Sequence, residues 1–73
     1  MQEYEVTYHK IISDNIKKLR TKAKLSQEAL AEKLNCSREF ISRVENKKER
    51  ISLNMMLKIA KIFEINPSSL FQV

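Results

Sequence analysis

The segment at residues 25–48, LSQEALAEKLNCSREFISRVENKK, contains two short helical patterns with almost no room between them. Ser26 and Ser37 can each cap the free amide groups of a first helical turn. An apolar residue precedes each serine and can pack against another one turn into the helix, as in a hydrophobic staple. The segment therefore predicts one helix that ends at Leu34 and a second helix over residues 38–45.

The corner between these two helices contains Asn35, and the chain has no glycine at all. A corner this tight commonly needs a residue in the left-handed region, where glycine is favoured and asparagine is the best substitute. We therefore expect Asn35 to have a positive φ angle. Such a corner would keep Leu34 and Cys36 in the core and direct the second helix outward.

Three more helices are predicted around this pair, which gives an all-α fold of five helices. Apolar residues between Tyr8 and Ala23 recur every three or four positions, which predicts a helix over about 8–23 with Thr7 as its N-cap. Residues 1–7 are expected to be an N-terminal tail, and residues 8–73 the domain.

The C-terminal third predicts the last two helices. Ser52 is the expected cap of the fourth helix, and Asn66-Pro67 opens a short fifth helix, because proline suits the first helical position. The apolar face of the fourth helix is expected to include Leu53, Met56, Leu57, Ile59, Ala60 and Phe63.

Composition limits the class of protein. The chain has 73 residues, of which 42% are hydrophobic, so one small domain with a core is expected. The net charge of +5 favours an acidic partner, either nucleic acid or an anionic membrane surface, although two solvated faces would also explain it. The single cysteine excludes an internal disulfide. With no signal peptide or membrane-spanning run in the sequence, a cytoplasmic location is expected.

Two short helices joined by about three residues, with basic residues around the second, have the layout of a helix-turn-helix, here over residues 27–46. Its second helix enters the DNA major groove while the first supports it from behind. This arrangement needs a small residue where the two backbones approach, and Ala31 is placed for that role. It also needs apolar residues that face inward from both helices, and these are Leu30, Leu34, Cys36, Ile41 and Val44.

Residues 27–46 resemble the helix-turn-helix of the lambdoid phage repressor and Cro family, often called the Xre family. The flanking segments IKKLRTKAKLSQ and ISLNMMLKIAKIFEINPSSLF resemble its first, fourth and fifth helices, so the likeness covers about residues 11–71. It implies a five-helix lambda-repressor-like domain and a transcription regulator that binds double-stranded operator DNA as a homodimer. The ISL that follows a charged loop also resembles the controller proteins of restriction–modification systems.

The resemblance implies DNA contacts for particular residues. Base contacts are implied for the first two turns of the recognition helix, where arginine can hold guanine and glutamate can accept from cytosine. These residues are Arg38, Glu39, Ser42 and Arg43. Phosphate contacts are implied for the two helix starts and for the loop after the recognition helix, at Gln27, Ser37, Lys47, Lys48 and Arg50.

Two structural roles also follow from the resemblance. Arg20 and Glu45 match an ion pair that joins the first helix to the end of the third. The apolar C-terminal end is expected to meet its symmetry mate in a dimer, through Ile65, Leu70, Phe71 and Val73. The chain departs from the family at four positions, which are Ala29 for glutamate, Asn35 and Lys47 for glycine, and Ile51 for proline.

Several residues have alternative interpretations. Glu39 could pair with Arg43 within the helix instead of reading a base. Phe40 could lie at the edge of the core or touch a thymine methyl, and Cys36 is expected to be a small core residue. His9 is the only histidine and has no second ligand partner, so no metal site is expected. No cofactor or small-molecule ligand is expected either. A protein-interaction module or an antagonist of another regulator remains the alternative function, whereas no nucleophile–base arrangement indicates an enzyme.

Overall fold

The computed structural model describes residues 3–73, with side chains from residue 7 onward, and within them the protein is all-α. Four α-helices precede a 3₁₀-helix at Pro67–Phe71. The fifth helix therefore forms where it was expected, but it is a 3₁₀-helix and not an α-helix. Its five residues are held by i→i+3 bonds, such as the 2.9 Å bond from the Ser69 amide to the Asn66 carbonyl. The α-helices are α1 (Glu3–Lys22), α2 (Gln27–Leu34), α3 (Arg38–Glu45) and α4 (Leu53–Ile62).

The first helix begins at Glu3, five residues before the expected start. Thr7 therefore lies inside the helix and is not its N-cap, and residues 3–7 are helical instead of forming a tail. In the sequence Tyr4 lies one four-residue step before Tyr8, which continues the apolar stripe of this helix toward the N-terminus. The part of the expected tail at residues 1–2 lies outside the described residues.

The three serine caps are confirmed. The hydroxyl oxygens of Ser26 and Ser37 accept hydrogen bonds from the amides of Ala29 and Phe40, at 2.9 and 3.0 Å. The hydroxyl oxygen of Ser52 accepts from the Met55 amide at 3.1 Å. Each serine has extended backbone angles, as an N-cap requires. These caps give α2, α3 and α4 the starts that were predicted.

All four α-helices end in the same hydrogen-bonded corner, formed around a left-handed residue that is not glycine. At the end of α2, Asn35 has the predicted positive φ of 57°. The Cys36 amide donates to the Ala31 carbonyl at 2.9 Å, and the Asn35 amide to the Glu32 carbonyl at 3.2 Å, which is a Schellman motif. The other three left-handed residues, at φ of 54–63°, are Lys24, Lys47 and Glu64.

The core lies where α1, α2, α3 and α4 meet the 3₁₀-helix. Its fully buried members include Leu30, Leu34, Ile41 and Val44, as predicted, together with Ile16, Ala31, Ile59 and Leu70. The expected apolar face of α4 is only partly buried, because Leu53 is 66% exposed and Leu57 46% exposed. The Asn15 side-chain amide of α1 donates to the carbonyls of Leu70 and Gln72, at 2.8 and 2.7 Å, and fixes the C-terminal end on α1.

Candidate nucleic-acid interface

The third helix has two distinct faces. Ile41, Val44 and Glu45 are buried, and Phe40 is partly buried against the core. The opposite face holds the four residues that were predicted to contact bases. Arg38, Glu39 and Arg43 are exposed, and Ser42 is partly exposed. Because an α-helix turns 100° per residue, these four side chains share one side of α3 and form a continuous polar surface.

The corner between α2 and α3 sets the direction of this polar surface. Ala31 is 2% exposed, and its small side chain belongs to the core cluster that also contains Ile41 and Val44 of α3. Leu34 is buried just before the corner, and Cys36 is partly buried just after it. Burial raises the pKa of the Cys36 thiol, which keeps it protonated at neutral pH. The corner therefore anchors α3 from behind and leaves its polar face outward.

A buried carboxylate fixes the C-terminal end of α3. Glu45 accepts from the Arg20 guanidinium at 2.6 and 3.0 Å, which confirms the predicted ion pair. The Gln27 side-chain amide donates to the same carboxylate at 3.1 Å. The Arg20 and Glu45 side chains are only 12% and 2% exposed. This cluster, which we call the Glu45 junction, joins the end of α1 and the start of α2 to the end of α3.

The Glu45 junction also changes the interpretation of Gln27. This residue was expected to contact phosphate, yet one of its amide N–H groups is directed at Glu45 and not into solvent. Its side chain is partly buried. A side-chain amide has two N–H donors, so the second N–H of Gln27 can still donate to a phosphate at the start of α2.

The two arginines on the polar face of α3 are each paired with a carboxylate. Arg38 lies 3.5 Å from Glu39, and the Arg43 guanidinium lies 3.2 Å from the carboxylate of Glu49. The alternative pair of Glu39 with Arg43 is therefore not the arrangement that forms. The Asn46 side-chain amide donates to the Ser42 hydroxyl at 3.4 Å. Each of these side chains remains at least partly accessible to a ligand.

The loop after α3 returns to the first helix. Lys47 has a φ of 63°, and its ammonium group lies 2.9 Å from the Asp14 carboxylate on α1. The Lys47 hydrogen bond lowers the pKa of Asp14, and its charge together with those of Lys10 and Lys18 acts in the same direction. The His9 ring nitrogen Nε2 lies 3.2 Å from the Lys47 carbonyl oxygen.

The remaining residues that were expected to contact phosphate lie around this loop and at the start of α3. Lys48 and Arg50 are exposed. Arg50 also lines an open groove of about 200 Å³ with Tyr8, His9, Ile12, Ile51 and Met56. The Ser37 hydroxyl oxygen accepts from the Phe40 amide, so its O–H group can still donate to an anion.

The C-terminal residues expected at a dimer interface separate into two groups. Phe71 is 41% exposed and Val73 fully exposed, whereas Leu70 is completely buried in the core of the same chain. Leu70 is therefore a core residue, which corrects its assignment to a dimer surface. Ile65 is partly buried against the core. Phe71 also packs edge-on against Tyr8 of α1, with ring centroids 6.2 Å apart.

Two acidic residues beside this surface, Asp14 and Glu49, were not among the predicted site residues. Asp14 and Glu49 each pair with a cation that was expected to contact DNA, across 33 and six positions of sequence. Only the six-residue spacing is short enough to notice, and no local pattern indicates the other. Among the described side chains, no group of three or more His, Cys, Asp or Glu residues could hold a metal ion. No helix within residues 3–73 is long and apolar enough to span a membrane.

Comparison with known proteins identifies several similar chains. The family model HTH_3, described as helix-turn-helix, matches residues 16–70. The hypothetical transcription factor NHTF from Neisseria is 26% identical with a TM-score of 0.82, over 89% of this chain and 75% of that chain. The restriction-modification controller protein C.AhdI from Aeromonas hydrophila is 32% identical with a TM-score of 0.81, over 90% of this chain and 96% of that chain. A mutant of the restriction-modification controller protein C.Esp1396I is 31% identical with a TM-score of 0.77, over 88% and 81%. No curated protein matches significantly.

Proposed function

We propose that this chain, which belongs to the HTH_3 helix-turn-helix family, regulates transcription by binding specific sequences of double-stranded DNA with α3. DNA-binding regulation of transcription is the activity that the family and its structural neighbours support. The proposal that α3 contacts the bases rests on one observation, which is the division of this helix into a buried face and a polar face. The major groove, about 12 Å wide, admits a helix of this kind with its polar side against the base edges.

The polar face of α3 has the chemistry for reading bases. The guanidinium groups of Arg38 and Arg43 can each donate two hydrogen bonds to guanine, and Glu39 can accept from the amino group of cytosine. Ser42 lies between them and can donate or accept. The ion pairs of Arg38 with Glu39 and of Arg43 with Glu49, and the hydrogen bond of Ser42 with Asn46, join accessible side chains and can be exchanged for contacts with DNA.

Phosphate contacts are proposed at the two ends of this surface. Gln27 and Ser37 lie at the starts of α2 and α3, where free amide groups and the helix dipole favour an anion. Lys47, Lys48 and Arg50 lie in the loop that follows α3 and add positive charge beside it. Contacts of this type position a protein on the duplex without reading its sequence.

A homodimer is proposed from the exposed apolar residues. Phe71 and Val73 remain available at the C-terminal end, and Leu53 and Leu57 of α4 are exposed as well. A twofold dimer would place its two recognition helices in successive major grooves, with half-sites about 34–36 Å apart. The likeness to two controller proteins along most of the chain makes control of a restriction–modification system the first regulatory setting to test.

Selection of bound sequences from a random DNA pool tests the proposal. We expect an inverted repeat whose half-site centres lie about 10–10.5 base pairs apart, or a multiple of that spacing. In gel-shift titrations, Arg43→Gln should weaken binding to the selected operator by about 1–3 kcal/mol, or roughly 5- to 150-fold, and relax the preference for one base pair. Lys61→Gln, which removes an exposed charge from α4, is the matched control and should change operator affinity much less.

Two outcomes would contradict the proposal. The first is a pool with no enriched sequence, together with binding that does not depend on salt concentration. The second is isolation of the protein with one stoichiometric protein partner and no DNA affinity, which would favour an interaction module on the same fold. An Arg43→Gln variant with unchanged affinity and preference would remove this residue from the proposed base contacts.

A further inference from the structure

Arg38, Arg43 and Lys47, which are proposed to contact DNA, are each paired with a carboxylate of the protein itself. Arg38 is paired with Glu39, which is also a proposed base contact. Arg43 and Lys47 are different, because their partners Glu49 and Asp14 have no other role in the proposed interface. A role for these two carboxylates in DNA binding, which rests on the proposed function, follows from how they hold their cations.

Asp14 lies in a basic part of α1, where it forms an ion pair with Lys47. It is the only acidic residue in residues 10–24, which carry six basic residues. The 2.9 Å pair joins the middle of α1 to the corner after α3, and the His9 ring lies 3.2 Å from the backbone carbonyl of Lys47. The ammonium group of Lys47 thus points back toward α1 from a backbone corner that is itself held in place.

Glu49, in the loop after α3, forms a similar ion pair with Arg43. Its carboxylate lies 3.2 Å from the guanidinium Nε of Arg43, and it is less exposed than the arginine, at 39% against 49% of each side chain. The short segment between them turns at Lys47 and brings the loop back beside the helix. Arg43 must leave this carboxylate before its Nε can reach a base or a phosphate.

We propose that Asp14 and Glu49 compete with DNA for Lys47 and Arg43, so that they lower the DNA affinity of the protein and weaken its dependence on salt concentration. Both carboxylates lie about 3 Å from their cations, well inside the Debye length of about 8 Å at physiological salt. At that separation each pair presents little net charge to a phosphate. A neutralised cation does not displace a condensed counterion from DNA, whereas a released cation does.

The expected size of the effect follows from counterion release. Each additional phosphate contact steepens the slope of log affinity against log salt concentration by about 0.9. Between 50 and 200 mM salt, the affinity of a variant with one released cation should therefore fall by an extra factor of about 3.5. The variants are Asp14→Asn and Glu49→Gln, which keep the size of each side chain and remove its charge.

The control is Glu64→Gln, which makes the same change in net charge at an exposed position after α4. Binding of the wild type and the three variants is measured by fluorescence anisotropy with a random-sequence duplex and with the selected operator, at 50 and 200 mM potassium chloride. Asp14→Asn and Glu49→Gln should bind both duplexes more tightly at 50 mM than Glu64→Gln does, with the steeper salt dependence. A thermal unfolding curve for each variant checks that all are folded at the assay temperature.

A double-mutant cycle tests whether Asp14 acts through Lys47. In a Lys47→Gln background the Asp14→Asn change should no longer steepen the salt dependence, because the cation that it releases is absent. The same steepening in both backgrounds would overturn the proposal for Asp14. Affinities that fall in Asp14→Asn would also overturn it, since they would mean that the carboxylate positions Lys47 for DNA instead of withholding it.

The proposed function and this inference fail in different ways. Wild-type protein that binds neither duplex overturns the proposed function, and the inference with it. Wild-type protein that binds DNA, with Asp14→Asn and Glu49→Gln no different from Glu64→Gln in affinity and salt dependence, overturns the inference alone.

Discussion

Glycine at the end of α4 should make this glycine-free protein more stable. Glu64 has a φ of 54°. Two backbone hydrogen bonds hold this corner: the Ile65 amide donates to the Ala60 carbonyl at 2.9 Å, and the Glu64 amide donates to the Lys61 carbonyl at 3.2 Å. The left-handed region costs a residue with a β-carbon about 1–2 kcal/mol. Glycine avoids that cost and keeps both hydrogen bonds, because they come from the backbone.

The net gain is smaller than the conformational cost. Glycine has more freedom in the unfolded chain, which returns about 0.5–1 kcal/mol of the gain. Glu64→Gly should therefore raise the free energy of unfolding by about 0.5–1 kcal/mol. For a domain of this size, that corresponds to an increase in Tm of about 2–8 °C.

Thermal and urea unfolding followed by circular dichroism measure this effect, with Glu64→Ala as the control. The alanine variant loses the same carboxylate but keeps a β-carbon, so it should show no comparable gain. Asn35→Gly should gain less than Glu64→Gly, since asparagine already tolerates the left-handed region, and Asn35→Val should be clearly destabilising. A glycine variant no more stable than Glu64→Ala would refute the reasoning.

Three further predictions concern charge and association. Arg20→Ala should lower the free energy of unfolding by about 3–5 kcal/mol, because it leaves the Glu45 carboxylate buried without its cation; urea denaturation measures the loss, and full stability would contradict the burial of the pair. Phe71→Gln should shift sedimentation toward monomer at a given concentration, and an unchanged dimer would exclude this residue from the interface. The Asp14 pKa is lowered below its ordinary value of 3.8, so its pair with Lys47 stabilises the fold above that pH and is lost as pH falls through the lower folded value. The difference in urea midpoint between wild type and Asp14→Asn should therefore be constant near neutral pH and shrink as the pH falls below 3.8. A difference that stays constant below that pH would contradict the assignment.

Local signals in the sequence were sufficient for most of the fold. Ser26, Ser37 and Ser52 each predicted a helix start, because a capping side chain acts on an amide only three residues away. The start of α1 was missed because Thr7 offered a plausible cap while the four-residue spacing continued before it. The 3₁₀ geometry at residues 67–71 was missed because five residues carry too little periodicity to separate the two helix types.

The left-handed corners show where local signals end. Asn35 was predicted because its side chain has an intrinsic tolerance of that conformation. Lys24, Lys47 and Glu64 have none, and their angles are imposed by the hydrogen bonds and packing of the chain on either side. The pairing of Lys47 with Asp14 depends on that same packing, and 33 residues of sequence separate the two. The charges of the candidate interface were therefore predictable as a set, but their partners were not.

The Glu45 junction has a mechanical consequence for DNA recognition. Because one buried carboxylate is bonded to side chains from both α1 and α2, a swing of α3 about its corner would break three hydrogen bonds to a charged group at once. The third helix, α3, is therefore held rigidly relative to α1 and α2. If the protein binds operators as proposed, those that differ in groove width or half-site spacing would have to adjust by bending or twisting the duplex. The elastic energy of DNA would then contribute to how the protein distinguishes one site from another.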